Sequence, residues 1–502
     1  GSRARGVVAE RVRNPASRNE VARPALEGSA ARAAADTSTP PDRRGSIHST
    51  RLPRSHEAIG GTEPDSRAPD DSPVDVPPEP SAGRSRRGYL TDSALSFAVG
   101  GITSAFGLLS GVIAASRLGP DGRGRIALVQ LVVSATVVLG GAGLPDSIIY
   151  FTRSHRFDVG ALLRRFERIA AATSAAFTLL AVGVNALIWH ILGLGWSWPA
   201  AMYCVVIIPS VQLMLLGGAL RAAGRALLWN LVRVATALCW LLAVAIPPFP
   251  SLRAVFLVHV TTMTVAWIGL RRWTAPAIAR TATVPRHVVS SALRYGMPSA
   301  LVGFPVLLNG RVDQVIVAGA RSVHDAGVYA AAAGLATGAF LLPQSIALIL
   351  FPAVASGALD ARRHTARLLR WGTPACVAFG LAYGGVAAMV WNPLFSAPFS
   401  AGRTPAVILS VAWALSGLNA MLEETLRGIG RSSVPLLSQS VSAVSTVVAA
   451  LLLVHPFGLN GAAWGSLIGF AAGTVVLAIA LTIVRPPTQV SSESPPAAPG
   501  PG

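Results

Sequence analysis

Residues 217–238 read GGALRAAGRALLWNLVRVATAL, and their pattern returns in residues 424–441, which read ETLRGIGRSSVPLLSQSV. Both stretches place Leu-Arg-x-x-Gly-Arg between the end of one apolar run and the start of the next. The first arginine of the pattern, Arg221, corresponds to Arg427 at an offset of 206 residues. A pattern that returns at this distance predicts that the chain is built from two similar halves.

A second pair of similar stretches supports the duplication. The sequence GRGRIA at residues 122–127 aligns with DAGVYA at residues 325–330, so that Gly124 stands opposite Gly327 at an offset of 203. Two similar offsets from separate places indicate a repeat of six spans. The alternative is that Leu-Arg-x-x-Gly-Arg is a short cytoplasmic turn that the topology uses twice without any duplication.

Apolar runs near the length that crosses a bilayer, about 20 residues, recur from residue 94 onward. They predict an all-α polytopic membrane protein with spans at 94–116, 126–145, 169–192, 199–220, 226–246, 254–270, 295–320, 326–352, 373–393, 405–426, 434–454 and 460–484. Because six is even, both halves of this twelve-helix chain enter the membrane in the same orientation. We therefore expect two six-helix lobes related by a parallel repeat, with a substrate site between them.

Composition excludes a soluble protein and a nucleic-acid-binding tail. The chain has 502 residues, of which 52% are apolar and 13% charged, whereas soluble domains carry roughly 25% charged residues. The net charge is +19 and every basic residue is Arg. The first 88 residues hold 15 Arg and 12 acidic residues, so this segment has mixed charge and we expect no nucleic acid as a partner.

The distribution of Arg predicts the orientation of the spans. Loops on the side of the N-terminal segment carry 18 Arg, and loops on the other side carry 6. Since basic residues accumulate in cytoplasmic loops, both termini are expected in the cytoplasm, and the expected location is the bacterial cell (inner) membrane. No charged and then apolar leader precedes Tyr89, so we expect no cleaved signal peptide.

The predicted organisation has five parts. They are a disordered cytoplasmic tail (1–88), an N-terminal six-helix lobe (89–272), a cytoplasmic linker (273–294), a C-terminal six-helix lobe (295–485) and a disordered C-terminal tail (486–502). The first tail contains no aromatic residue and cannot bury enough apolar surface to offset the entropy of ordering. It is a candidate contact for polysaccharide-assembly partners.

No cofactor is expected from the residues that usually bind metals. The three cysteines, Cys204, Cys239 and Cys376, each lie within an apolar span and lack the spacing of a zinc site or a disulfide framework. The histidines of the spans are scattered as well. We therefore expect neither a metal site nor a cofactor.

Six motifs along residues 90–484 resemble one family of transporters. They are RLGPDGRG (117–124), RVD (311–313), GVYAAA (327–332), LFP (350–352), LRGIGR (426–431) and GLNGAAWG (458–465). In order and spacing the chain resembles the polysaccharide (O-antigen-type) flippases of the multidrug/oligosaccharidyl-lipid/polysaccharide exporter superfamily. This resemblance implies that two six-helix lobes surround a cationic cavity. It also implies that undecaprenyl-diphosphate-linked oligosaccharide moves from the cytoplasmic to the outer leaflet by alternating access, for polysaccharide biosynthesis and without catalysis.

Charged and polar residues inside the spans are the candidate substrate-binding residues: Arg311, Arg233, Asp313 and Asn309. An ionisable group inside a span usually faces the protein interior or a wet cavity, since burial in lipid is costly. A guanidinium fits a diphosphate because it donates two parallel hydrogen bonds. The alternative is that each arginine is neutralised by a carboxylate of a neighbouring helix.

Three other functions compete with the flippase. An exporter of drugs or toxins driven by Na⁺ or H⁺ requires carboxylates deep in a lobe, and Asp313 and Glu423 qualify. A glycan polymerase or ligase normally has a long outer loop, and the outer loops here are short. A scaffold would recruit partners through the tail without transport. Glu423 is also four residues before Arg427, a spacing that favours an ion pair on a helix surface.

Glycine and proline mark the first helix of each predicted lobe. Gly107 and Gly111 form a GxxxG spacing, which permits the close approach of another helix. Pro298 and Pro305 remove backbone hydrogen bonds in the seventh span and allow it to bend. Both helices are therefore candidate moving parts, or simply well packed helices.

Overall fold

A computed structural model describes residues 86–154, 157–247, 251–278, 286–355, 361–429, 431 and 433–483. Within these residues fifteen α-helices follow one another: α1 (Arg86–Gly140), α2 (Leu144–Ser154), α3 (Val159–Ile191), α4 (Trp198–Tyr203), α5 (Ile207–Ala222), α6 (Ala226–Ala245), α7 (Leu252–Thr274), α8 (Arg286–Asn309), α9 (Val312–Ala320), α10 (Val323–Ala336), α11 (Gly338–Ala355), α12 (Ala361–Arg367), α13 (Thr373–Leu394), α14 (Arg403–Gly428) and α15 (Ser433–Ile483). The predictions for residues 1–85 and for the C-terminal tail lie outside the described residues.

The two longest helices each cross the membrane twice. α1 has 55 residues and α15 has 51, and at about 1.5 Å per residue either would exceed twice the thickness of the hydrocarbon core. Each is broken at a glycine in the left-handed region, Gly119 with φ 67° and Gly458 with φ 57°. An L-residue with a side chain rarely adopts this conformation, so glycine permits the chain to turn back here.

The described helices account for the predicted number of spans. Eight are long and apolar enough to cross a membrane, and two bent pairs, α8 with α9 and α10 with α11, bring the number to ten. Because α1 and α15 are each long enough to cross twice, the described helices have the length for the twelve predicted spans, and the predicted all-α fold is confirmed. We call the side on which α1 breaks the Gly119 face, and α4, α7, α10 and α14 begin at this face.

The seventh span bends at a place that its prolines do not predict. Pro298 and Pro305 both lie inside α8, which continues through them. The span breaks instead at Gly310 and Arg311, where α9 turns away from α8 by 45°. This break gives Arg311 a backbone position between two helices rather than within one.

The two lobes meet through a reciprocal contact at the Gly119 face. A Cβ atom on Gly124 would lie 2.0 Å from the carbonyl oxygen of Val323, and one on Gly327 would lie 1.8 Å from the carbonyl oxygen of Pro120. Val323 and Pro120 are also 203 residues apart, the offset that relates Gly327 to Gly124. A contact in which equivalent residues exchange roles is the signature of a twofold axis, so it supports the parallel repeat.

The lobes also touch on the opposite side of the membrane, where α2 packs against α8. A Cβ atom on Gly143, whose φ is 64°, would lie 1.9 Å from the carbonyl oxygen of Gly296. Ser147 Oγ donates a hydrogen bond of 2.7 Å to the carbonyl oxygen of Ala292. Close backbone contact through small residues is the usual means of helix association in lipid, which offers no hydrophobic drive.

The GxxxG spacing does not mark a helix contact, contrary to the sequence-based interpretation. No described residue lies within 4 Å of the place that a Cβ atom would take on Gly107. Near Gly111 the only such atom is Nη2 of Arg123, at 4.0 Å. Close approaches between the lobes occur instead at the two interlobe glycine pairs, which the spacing rule did not select.

Candidate functional site

Arg311 occupies the N-cap position of α9, at the break in the seventh span. Its backbone has φ −147° and ψ −11°, and its side chain makes no capping hydrogen bond. The guanidinium is half-buried and forms no ion pair or hydrogen bond with any residue that the structure describes. The break therefore places a guanidinium within the membrane. The described residues accept none of its hydrogen bonds.

Arg123 lies between the lobes. The sequence had instead counted it among the six arginines of the outer loops. Its Nη2 atom is 4.0 Å from the Cβ position of Gly111 in the first lobe and 3.8 Å from that of Gly334 in the second. The side chain is half-buried. It donates one long hydrogen bond, 3.5 Å, to the carbonyl oxygen of Ala330. Its Nε atom is buried without a partner among the described residues.

The charge of Arg311 disfavours that of Arg123, while the charge of Asp313 favours that of Arg311; we call Arg123 and Arg311 the interlobe arginine pair. Neither forms an ion pair with a carboxylate of the described residues. Two like charges in a partly dehydrated space are costly unless an anion joins them. The pair is therefore a candidate anion site between the lobes.

The other two arginines of the same turn have internal partners. Arg117 Nη1 donates to the carbonyl oxygens of Val244 and Ala245, at 2.9 and 2.7 Å, and so caps the C-terminus of α6. The Arg125 guanidinium lies 5.8 Å from the ring centroid of Trp189, a cation–π distance. This contrast singles out Arg123 as the arginine of the turn that faces the other lobe.

Asp313 faces the core of the C-terminal lobe and does not pair with Arg311. Its Oδ2 atom accepts hydrogen bonds from the Tyr329 hydroxyl at 2.7 Å and from Ser466 Oγ at 2.8 Å. Its side chain is almost completely buried. These bonds hold α9 against α10 and α15, and Asp313 forms no ion pair with Arg311 although their opposite charges attract.

Asn309 is buried in the same lobe within a polar network. Its Nδ2 atom donates to Ser442 Oγ at 2.6 Å and to Gln439 Oε1 at 3.2 Å, and its Oδ1 atom accepts from Thr446 at 3.0 Å. Gln439 in turn donates to Glu423 at 2.7 Å. Asn309 and Asp313 therefore lie in the interior of one lobe, and neither forms an ion pair or hydrogen bond with the guanidinium of Arg311.

Arg233 lies in the N-terminal lobe, against the first half of α1. Its Nη1 atom approaches the carbonyl oxygen of Ser96 at 3.5 Å and Asn230 Oδ1 at 3.4 Å. The Trp229 ring lies 6.0 Å from its guanidinium carbon. Arg233 is thus supported by neighbours on its own lobe, and the described contacts do not bring it together with Arg311.

Glu423 and Arg427 do not form the predicted ion pair. Arg427 Nη1 binds Glu424 at 2.7 Å, three residues away on the same helix. Glu423 instead points into the lobe and is nearly completely buried. The spacing of Glu423 to Arg427 allows an ion pair, but tertiary packing buries Glu423 and leaves Glu424 to pair with Arg427.

The sequence reasoning missed the residues around the interlobe pair in the N-terminal lobe. The hydroxyl of Tyr203, at the end of α4, is 2.9 Å from His259 Nδ1, and the charge of Arg311 acts on this tyrosine. An apolar span with one tyrosine gives no signal for such a role. The glycine-rich turn at Arg123 did carry a signal in the sequence. It aligns with a segment of the second half that also lies at the interface between the lobes.

Comparisons with known proteins identify the fold. No protein-family model and no curated protein sequence matches the chain. The solved structures that resemble it include an inward-facing multidrug resistance MATE family transporter of the MOP superfamily, with 15% identity and a TM-score of 0.63, covering 78% of this chain and 98% of the other. The two-lobe fold of that transporter is the fold of this protein.

Two further structures support the same conclusion. The lipid II flippase MurJ in an inward closed conformation matches with 12% identity and a TM-score of 0.60, covering 77% of this chain and 87% of the other. A eukaryotic MATE transporter matches with 14% identity and a TM-score of 0.58, covering 79% of this chain and 97% of the other. The fold is thus shared by a multidrug resistance transporter and by a lipid II flippase, so the substrate class must be argued from the site.

Proposed function

We propose that this protein is a membrane transporter that flips an undecaprenyl-diphosphate-linked oligosaccharide from the cytoplasmic to the outer leaflet by alternating access. The observation that carries this proposal is the interlobe arginine pair, two cations without carboxylate partners among the described residues. A diphosphate bears several negative charges and accepts the paired hydrogen bonds of guanidinium groups. A drug-like cation would be repelled from the same place.

The lobe contacts support an alternating mechanism. The lobes touch at the Gly119 face through the reciprocal glycine contact and at the other face through the contact of α2 with α8. Both are backbone contacts of small residues, with few side chains that must rearrange when the lobes separate. Rocking of two repeats about a site between them is the general mode of transport for such folds.

The direct test is translocation in proteoliposomes. Purified protein is reconstituted with a fluorescent undecaprenyl-diphosphate oligosaccharide, and a membrane-impermeant quencher reports how much lipid has reached the outer leaflet. We expect faster translocation than in vesicles without the protein. If the lipid does not move faster with correctly inserted protein, then the proposal is wrong.

A cation-driven drug exporter is the second candidate, and the buried carboxylates favour it. Asp313 and Glu423 are 3% and 6% exposed, and the described residues form no ion pair with either. Each is held by neutral donors, a setting in which a carboxylate can exchange a proton or bind a cation. A drug exporter would have the same fold, but it would exchange its proton or bind its cation in the interior of the C-terminal lobe.

Replacement of Glu423 separates the two candidates. Under the exporter hypothesis, Glu423→Gln is expected to abolish efflux of a cationic dye driven by a proton or Na⁺ gradient, since the amide keeps the shape but cannot ionise. Glu424→Gln is the matched control, because that carboxylate pairs with Arg427 near the end of α14. Absence of dye efflux in the wild type, or full efflux in Glu423→Gln, contradicts the exporter hypothesis.

The proposed direction of transport requires the Gly119 face to lie outside the cytoplasm, as the arginine count predicts. Single cysteines at His324 and at Arg363 test this orientation. In intact cells an impermeant maleimide is expected to label the cysteine at position 324, which lies at the Gly119 face, and to spare the one at position 363. The native Cys204, Cys239 and Cys376 are buried, so the maleimide is not expected to label them. The reverse pattern would show an inverted topology.

A further inference from the structure

A groove of about 600 Å³ lies between α4 and α7, at the Gly119 face where both helices begin. Apolar side chains form most of its lining: Trp198, Met202, Val205, Phe256, Leu257 and Val260. The volume falls within the range of about 300–1,000 Å³ that is typical of small-molecule sites. A hollow of this size differs from the convex apolar surface that surrounding lipid covers elsewhere.

The groove runs from the membrane interface into the hydrocarbon region. Arg253 stands at the first turn of α7, and Val260 lies seven residues further along, about 10 Å deeper at 1.5 Å per residue. Trp196 and Trp198 are both exposed, and their rings pack edge to face at 5.5 Å. Tryptophan concentrates at the headgroup level of membranes, so the mouth of the groove lies at that level.

The mouth of the groove carries positive potential. Arg253 is exposed and has no ion pair or hydrogen bond with any described residue. The N-terminal end of α7, which Ser251 caps, adds its partial positive charge. We propose that the groove binds one anionic phospholipid of the phosphatidylglycerol kind, with its phosphate at Arg253 and one acyl chain between α4 and α7.

The floor of the groove connects this lipid to the transport site. Tyr203 lines the groove, stacks on Phe256 at 4.3 Å and bonds to His259. The charge of Arg311, a member of the interlobe arginine pair, also acts on Tyr203. The acyl chain would thus pack against Tyr203, a residue on which the charge of Arg311 acts. The phospholipid is distinct from the transported lipid, so its binding does not depend on the proposed function.

Native mass spectrometry of the full chain tests the proposal. The protein is released from nanodiscs that contain equal amounts of phosphatidylglycerol and phosphatidylcholine, and the retained lipid is counted. We expect one retained phosphatidylglycerol in the wild type. Arg253→Gln should lower its retention about fivefold, the effect of one basic residue near an anionic headgroup. Val205→Trp and Leu257→Trp, which fill the hollow, should remove the lipid.

Matched variants control for general effects of charge and bulk. Arg403→Gln removes an exposed arginine at the start of α14 on the same face, and Leu179→Trp enlarges an exposed apolar residue outside the groove. Both should retain the lipid as the wild type does. The proposal is overturned by equal retention of the two lipids, by unchanged retention in Arg253→Gln, or by retention in both folded groove-filling variants.

Discussion

Arg311→Ala is expected to reduce translocation of the lipid-linked oligosaccharide about ten- to a hundredfold, the loss that follows removal of one charged hydrogen-bonding partner. The guanidinium sits at a break in the seventh span, half-buried, without an ion-pair partner among the described residues. Its removal withdraws one of two cations from the proposed diphosphate site. Arg311→Lys should recover only part of the activity, because Lys supplies a point charge without the two parallel donors of Arg.

The interlobe arginine pair makes the effects of its members interdependent. If Arg123 and Arg311 bind one diphosphate, then the double variant should lose less than the product of the two single losses. Arg403→Ala serves as the matched control, since this arginine is exposed at the start of α14. Normal translocation by a correctly inserted Arg311→Ala would place the substrate elsewhere. Rescue of Arg311→Ala by removal of a nearby carboxylate would make Arg311 a structural ion-pair partner.

Gly327→Ala is expected to prevent closure of the lobes at the Gly119 face and to abolish transport. The added Cβ atom would stand 1.8 Å from the carbonyl oxygen of Pro120, and a backbone oxygen cannot yield as a flexible side chain can. The lobes must therefore separate at this contact. Transport requires each face to close in turn, so a face held open uncouples the cycle even though both lobes remain folded.

Disulfide formation between substituted cysteines reports this closure. The Asp121 carboxylate and the His324 ring are 3.4 Å apart across the lobes, so the Asp121→Cys/His324→Cys variant should cross-link readily on oxidation. Adding Gly327→Ala should suppress the cross-link. Gly183→Ala is the matched control, because no described atom lies within 4 Å of its Cβ position. An unchanged cross-link together with unchanged transport would show that the lobes do not close through this contact.

The sequence alone was informative wherever a property depends on local composition. The lengths of the apolar runs predicted twelve passes because the thickness of a bilayer fixes the length of a span. The glycine pair Gly124 and Gly327 was found by alignment, and the fold places the two residues in contact near the axis that relates the lobes. Arg311 was selected because an ionisable group within a span is costly.

Side-chain direction could not be derived in the same way. Asn309, Arg311 and Asp313 lie within five residues, yet the amide and the carboxylate are hydrogen-bonded inside one lobe while the guanidinium has no hydrogen bond among the described residues. Glu423 and Glu424 are adjacent, yet one is buried and the other pairs with Arg427. Such choices depend on which neighbouring helix offers a hydrogen-bond partner, and that information is distant in the sequence.

The sequence by itself determined the fold class, the repeat and the presence of an arginine in the seventh span, because hydrophobicity and length act locally on insertion. Only the tertiary structure decided that Arg123 joins Arg311 between the lobes, and that α4 and α7 leave a groove beneath Arg253. Both features are formed by helices distant in the chain. Their geometry depends on how backbones of small residues approach each other, which no local pattern of residues specifies.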